Sequence, residues 1–432
     1  MTRFFGSKKS PPPNPLSSGR GGTPGTSRPQ PGTSQSPGSS ARPNNPAQPG
    51  LNSEISGLRI IEESDATGST RPATTEVDKD SITFRAVTTC INLGLRLLES
   101  PQGKAALVSI GQGVVSNRAK FEHIYEDNPQ NMPWWVELFL ARLRASFPST
   151  LLTNRLAGEG ATLRANWGQG GVKMRQWDPK DAGNLKLNKL IIYHLIRAGR
   201  KSAQNEQPRD AHVCAYERFL FLMGITVAHE LVHFFVGFLT GYDAPSTPGE
   251  VSFLPSIYNI PIAGGRYVGE SGRAWEGVVF GGIVETIENR SSPLGVYQSG
   301  DLYLIDANET VRKVDHASVK RILALCKFRL ITPLRKHTLM AGEDMDFPLR
   351  TTGANIALDT LILTARRMSS VRAEILPPGL IPTSPRDRRG PGVISSENLR
   401  SLTRLAPHTV RGREFAILGH VLREPSYLFV AA

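Results

Sequence analysis

Cysteine is scarce in this chain of 432 residues: Cys90, Cys214 and Cys326, odd in number and far apart. That excludes a disulfide-stapled secreted fold, and the absence of a CxxC pair leaves cysteine ligation of zinc without support. Acidic residues are missing entirely from residues 1–53, while eleven of the first 50 residues are proline. A segment so rich in Pro, Gly, Ser, Thr, Asn and Gln cannot bury enough apolar surface to offset its ordering entropy. Residues 1–78 are therefore predicted to be a disordered basic tail, and residues 79–432 a single folded domain with a helical first part and an irregular C-terminal extension. No apolar h-region follows Met1, which speaks against a secretory signal, and the Pro and Gly density disfavours the amphipathic helix of a mitochondrial presequence. A reducing compartment, cytoplasm or nucleus, is expected.

The net charge is +13. Arg3, Lys8, Lys9, Arg20, Arg28 and Arg42 put six of those charges before the first acid, Glu54. The rest of the chain shows no Lys/Arg stripe with interleaved aromatics, so no dedicated nucleic-acid surface is expected.

Hydrophobic spacing predicts helices over Ser81–Leu98, closed by Pro101, and over Pro133–Phe147. Val172–Trp177 and the Leu185–Leu187 alternation read as short strands of a half-exposed sheet, followed by helical spacing from Leu190. Ala211–Thr240 is the strongest helical segment, with Asp210 as N-cap and Gly241 as terminator. Beyond it, Leu302–Val314 reads as a hairpin turning at Asp306-Ala307-Asn308. Short helices are expected near Ala317–Cys326 and Leu358–Met368, and an exposed loop at 377–392. The mixture implies an α+β fold, a small sheet packed on the central helix with additional helices.

Within that helix, His229-Glu230-Leu231-Val232-His233 fits H-E-x-x-H. Positions four apart stand one above the other on a helix face, so both imidazoles can reach one metal ion. Glutamate at the second position lies beside them, placed to take a proton from water that the metal has acidified. With nine histidines in the chain, chance would supply roughly 0.01 such matches. The alternative, two histidines satisfied in an ordinary buried helix, must hide three ionisable groups in the largely apolar run Phe219–Leu239, and a metal removes that difficulty. The run is long enough to span a bilayer. However, three ionisable residues at its middle are costly in lipid and no second comparable run accompanies it, so no transmembrane segment is expected.

Catalytic zinc takes three protein ligands. The metzincin extension needs Gly three and His six residues after the second histidine, where this chain has Val236 and Leu239. Downstream, Tyr267-Val268-Gly269-Glu270-Ser271-Gly272-Arg273-Ala274-Trp275-Glu276 places a carboxylate 37 residues beyond His233, with small residues at Ser271, Gly272 and Ala274 to permit close helix approach. Together with H-E-x-x-H, this resembles the glutamate zincins, in which a second helix delivers Glu as the third ligand. Their Glu-x-x-x-Asp pattern is not reproduced, because Ala274 stands in the fourth place. Glu276 is a rival ligand. So is Asp243, although the Gly-Thr-x-Asp of aspartate zincins is not matched by Thr240-Gly241-Tyr242-Asp243. The stretch is also similar to proteins of filamentous fungi, a likeness that implies no function.

The resemblance implies a zincin-like zinc metallopeptidase: His229, His233 and Glu270 on Zn2+, Glu230 as general base, and a peptide or protein substrate laid along a sheet edge, with Gly183–Asn188 as the candidate strand. Tyr267 and Tyr242 are the nearest candidate electrophilic helpers. The alternative function is a zinc-holding interaction or sensor domain that does not cut.

Overall fold

The computed structural model describes residues 55–64, 72–116, 124–156, 158–168, 172–241, 247–262, 266–325, 349–358 and 368. All lie in one unit, Pro46–Ala432. In chain order its elements are β1 (Ile60–Glu63), β2 (Thr74–Glu76), α1 (Ile82–Glu99), α2 (Pro101–Ser116), α3 (Met132–Ala145), β3 (Ser149–Thr153), β4 (Gly160–Arg164) and β5 (Gly183–Asn188). There follow α4 (Lys189–Ala203), α5 (Arg209–Thr240), α6 (Pro255–Tyr258), β6 (Ile260–Ile262), β7 (Arg266–Val268), α7 (Ser271–Phe280), β8 (Ile283–Ile287), β9 (Asp301–Ile305), β10 (Thr310–Val314), α8 (His316–Leu325) and β11 (Thr351–Ala357). The fold is α+β.

Helix α5 organises the rest because it is apolar nearly all round. Phe219, Phe221, Phe234, Phe235 and Phe238 are almost wholly buried, each worth about 1.5–3 kcal/mol by area removed from water. Among the described residues α5 is the helix long and apolar enough to cross a membrane, and 89% of its most apolar window is buried inside the protein. Two glycines let α1 lie close along it. A Cβ on Gly94 would come within 2.6 Å of Val227, and one on Gly224 within 2.3 Å of Leu93. Gly241, at φ 77°, ends the helix in the left-handed conformation, where glycine carries no Cβ penalty.

The main sheet has strand order β2-β1-β3-β5-β4. β1, β3 and β5 run parallel (Ile60 opposite Thr150, Leu151 opposite Lys186), whereas β2 and β4 pair antiparallel at the two edges. β4 is the edge beside α5. Thr162 Oγ1 donates to the Glu230 carbonyl at 2.7 Å, and Trp167 Nε1 donates to that of Gly237 at 2.9 Å. A second sheet, β11-β10-β9-β8, follows α7 directly.

Several expectations are corrected. The tail does not extend to residue 78: β1 and β2 belong to the main sheet, and Ile60 is fully buried there. Two short strands of three and four residues carry too little pattern to stand out against a polar background. Pro101 opens a helix rather than only closing one. A proline suits a first helical turn because its missing N–H would be unpaired there, and Ser100 caps the new helix by accepting from Gly103 N–H at 2.9 Å. Val172–Trp177 is not a strand: Met174–Gln176 is a 3-10 turn, and the buried residues, Met174 and Trp177, recur every third position, the 3-10 repeat. Asp210 lies inside the first turn of α5, whose cap position is Pro208. Residues 1–54, Asp243, Tyr242, Cys326, most of the helix expected at 358–368 and the loop at 377–392 lie outside the described residues.

Candidate metal centre

α5 and α7 are brought together by small residues. Ser271 is fully buried, and a Cβ on Gly272 would stand 2.4–2.5 Å from three ring atoms of His229. That approach sets Glu270, the N-cap of α7, against the histidine face of α5. Glu270 Oε1 lies 2.6 Å from His233 Nε2 and 3.3 Å from His229 Nε2. Ligand atoms about 2 Å from a tetrahedral zinc stand about 3.3 Å apart, so the spread is of the right size. His229, His233 and Glu270 form a group whose donor atoms all lie within 4.8 Å of one another, and this group can hold a metal ion.

The two oxygens of Glu270 do different things. Oε2 accepts the backbone N–H of Arg273 and caps α7. Oε1 is buried and has the Nε2 atoms of the two imidazoles as its polar neighbours. A carboxylate on a side chain only 2% exposed needs positive charge beside it, which a proton on an imidazole or a bound metal ion supplies. Burial pushes the Glu270 carboxyl upward, but the two facing imidazoles outweigh it and hold the group well below the carboxylate range. Burial pushes His229 downward, and the Glu270 and Glu276 carboxylates overcome it, raising the imidazole to about 10. The carboxylates thus stabilise positive charge at this point, whether a proton or a metal ion carries it.

Each imidazole is held from behind. Glu276 Oε1 stands 2.7 Å from His229 Nδ1, and Ser271 Oγ stands 3.1 Å from His233 Nδ1. With Nδ1 engaged in this way, Nε2 is the nitrogen that each ring turns to the shared point, where a metal ion would take the place of a proton. Glu276 is itself saturated. It accepts from Arg273 Nη1 at 3.1–3.2 Å and from the backbone N–H of Val284 at 3.1 Å. Burial raises its carboxyl, yet Arg273 and His229 bring it below its ordinary range. Arg273 also reaches Glu285 at 3.3 Å and lies over the Tyr258 ring.

No family model, curated protein or solved structure matches this chain.

The site residues expected from the sequence thus fall into three positions. His229, His233 and Glu270 converge, and Glu276 stands behind His229 rather than at the shared point. Glu230, 5% exposed, sits against β4, where a Cβ on Gly160 would be 3.2 Å from its Cγ. Tyr267 is 55% exposed on β7. The strand expected to offer a free edge, β5, is internal; the edge is β4. Sequence reasoning missed β4, Arg273 and the pairing of Ser271 with His233. The rule that a ligating histidine needs a partner on its other nitrogen was the signal available for the last.

Proposed function

We propose that the chain is a zinc-dependent peptidase, with His229, His233 and Glu270 holding the metal and Glu230 serving as general base. The observation that carries this reading is the convergence of two imidazoles, each held at Nδ1, on one buried carboxylate oxygen, with Glu230 next to His229 on the same helix. When bound, zinc supplies Lewis acidity, lowering the pKa of a water and polarising a carbonyl. Glu230 takes the proton of the attacking water and delivers it to the departing amine. It is not a member of the converging group, so its carboxylate is left for proton transfer.

β4 supplies the place for an extended substrate. As an edge strand it turns alternate N–H and C=O groups outward, and a peptide can add to them as a further antiparallel strand. The hydrogen bond from Thr162 to the Glu230 carbonyl ties that edge to the base. A scissile bond lying along β4 is then delivered beside Glu230. His233, with 21% of its side chain exposed, is where the cluster meets solvent.

The test combines metal content with hydrolysis. Purified chain should carry about one zinc, lost in His229→Ala and His233→Ala. Glu230→Gln should keep the zinc and lose roughly 10²-fold or more of peptide hydrolysis. A wild-type protein that holds zinc but cleaves nothing across a broad peptide library would instead support a binding domain. Loss of zinc in Glu230→Gln would make that residue structural.

A further inference from the structure

Fifteen residues before His229, roughly 22 Å along α5 at 1.5 Å per residue, a second set of reactive side chains meets at the contact of α5 with α8. Cys214 and Glu217 are three apart on α5 and share a face. His316, the first residue of α8, stands between them. Its Nδ1 is 3.9 Å from Cys214 Sγ, and its Nε2 is 2.8 Å from Glu217 Oε2. The thiol and the carboxylate thus occupy opposite nitrogens of one ring, the order of a proton relay rather than a chelate. Cys214 is half-buried and free of disulfide, and the His316 side chain is 24% exposed.

We propose that Cys214, His316 and Glu217 form a nucleophilic thiol site that accepts small disulfides, so that Cys214 becomes a mixed disulfide. Glu217 orients the imidazole, and His316 takes the thiol proton. The Cys214 thiolate then attacks one sulfur of the incoming disulfide. A new Sγ–S bond forms as the old S–S bond breaks, and the departing sulfur leaves with the electron pair and collects the proton from His316. Cys214 is oxidised and half of the disulfide is reduced, so the balance closes with no further reactant. Exchange of this kind needs a sulfur that is not fully buried, a proton store and nearby cations.

The charged groups facing the sulfur are consistent with that chemistry. On α5, Arg218 is anchored by Asp301 at 2.6 Å and by the Gly300 carbonyl at 3.0 Å, while Glu217 opposes it. On α8, Lys320 lies 3.8 Å from Glu217 and offsets part of its charge. Burial raises the thiol, but His316 and Arg218 outweigh burial and Glu217 and bring it below its ordinary value. Its partners Cys214 and Glu217 raise His316 to about 9. Cys90 is the internal contrast: fully buried, it is pushed up to about 12.

The experiment exposes the full-length chain to glutathione disulfide, with acid quenching and peptide mapping by mass spectrometry to follow each cysteine separately. At pH 7, native Cys214 should react about tenfold faster than the same residue in urea. An ordinary thiol is only a few per cent ionised there, and the lower basicity of a perturbed thiolate returns part of the gain. His316→Gln should lower the native rate about tenfold at pH 7 and move the midpoint of the pH profile upward, with the two proteins converging near pH 10. Native Cys214 reacting no faster than in urea overturns the proposal, as does an unchanged pH 7 rate in His316→Gln. Circular dichroism verifies folding of that variant; if it fails, His316→Asn takes its place and must also slow the reaction at pH 7. Zinc content and Glu230→Gln do not enter this readout, so its outcome is independent of the peptidase reading.

Discussion

Gly272→Ala is the smallest change expected to break the metal centre. One methyl group is added, in the first turn of α7, where alanine should favour a helix by up to about 1 kcal/mol. Packing opposes that gain. The new Cβ would lie 2.4 Å from Cδ2, 2.5 Å from Cγ and 2.5 Å from Nε2 of His229. Ordinary carbon contacts need about 3.5–4.0 Å, so ring and helix must separate by about 1 Å. Neither is free to do so. His229 is fixed by Glu276 at 2.7 Å, and α7 carries that carboxylate and has the candidate ligand Glu270 at its N-cap.

Overpacking of this kind costs about 1–3 kcal/mol, which exceeds the propensity gain, so the melting temperature of the metal-free chain should fall by a few degrees. The larger effect is on binding. A 1 Å displacement between His229 and Glu270 spoils a site that tolerates about 0.2 Å in its bond lengths, and zinc affinity should fall at least 100-fold. Competition against a chromophoric chelator measures the affinity, and circular dichroism checks the fold. Wild-type affinity and melting temperature together in Gly272→Ala would refute the α5–α7 packing described above.

Glu276→Gln keeps the shape behind His229 but weakens the bond that orients it, and chelator competition should show a 10- to 100-fold loss of zinc affinity; an unchanged affinity would remove its positioning role. Asp301, between Arg218 at 2.6 Å and Lys313 at 2.7 Å, gives a stability test. Burial raises its carboxyl, while Lys313 and Arg218 together hold it below its ordinary value. A depressed carboxyl stabilises the fold fully above its unfolded pKa of about 4 and loses that contribution as pH falls through the folded value. Urea titration should therefore find Asp301→Asn destabilised on the order of 1–3 kcal/mol at pH 7 and converging with the wild type near pH 2; a constant gap would exclude the ion pair as the cause. Removing residues 1–78 deletes β1 and β2, and Ile60 alone is worth about 1.5–3 kcal/mol of burial, so the shortened chain should melt well below the full one. Equal melting temperatures would mean that these strands add nothing to the fold.

The parts of the fold legible in the sequence were those with a long period or a strong terminator. α5 was readable within two residues because its apolar run ends on Gly241, and the β9–β10 hairpin because Asp306-Ala307-Asn308 interrupts two alternating segments. The main sheet was mostly hidden. β1, β3 and β4 are four or five residues each, and apart from the β1–β2 pair their partners lie 19 to 90 positions away, beyond the reach of local pattern. Of that sheet, only β5 was recognised, and without its neighbours it could not be placed inside or at the edge.

The candidate site divides along the same line. His229, Glu230 and His233 lie on one helix, so their geometry follows from spacing alone. Glu270 and Glu276 lie on a second, and spacing shows only that six residues of helix separate their directions. Which of them meets the histidines depends on where α7 begins. The helix starts at Ser271, so Glu270 is the cap residue, in extended conformation, and its side chain leaves the helix axis entirely. Glu276, one and a half turns in, faces the back of His229 and receives Arg273 and the Val284 N–H. The candidate third ligand was therefore ambiguous for a specific reason: a capping position, unlike a helical one, has no periodicity by which to recognise it.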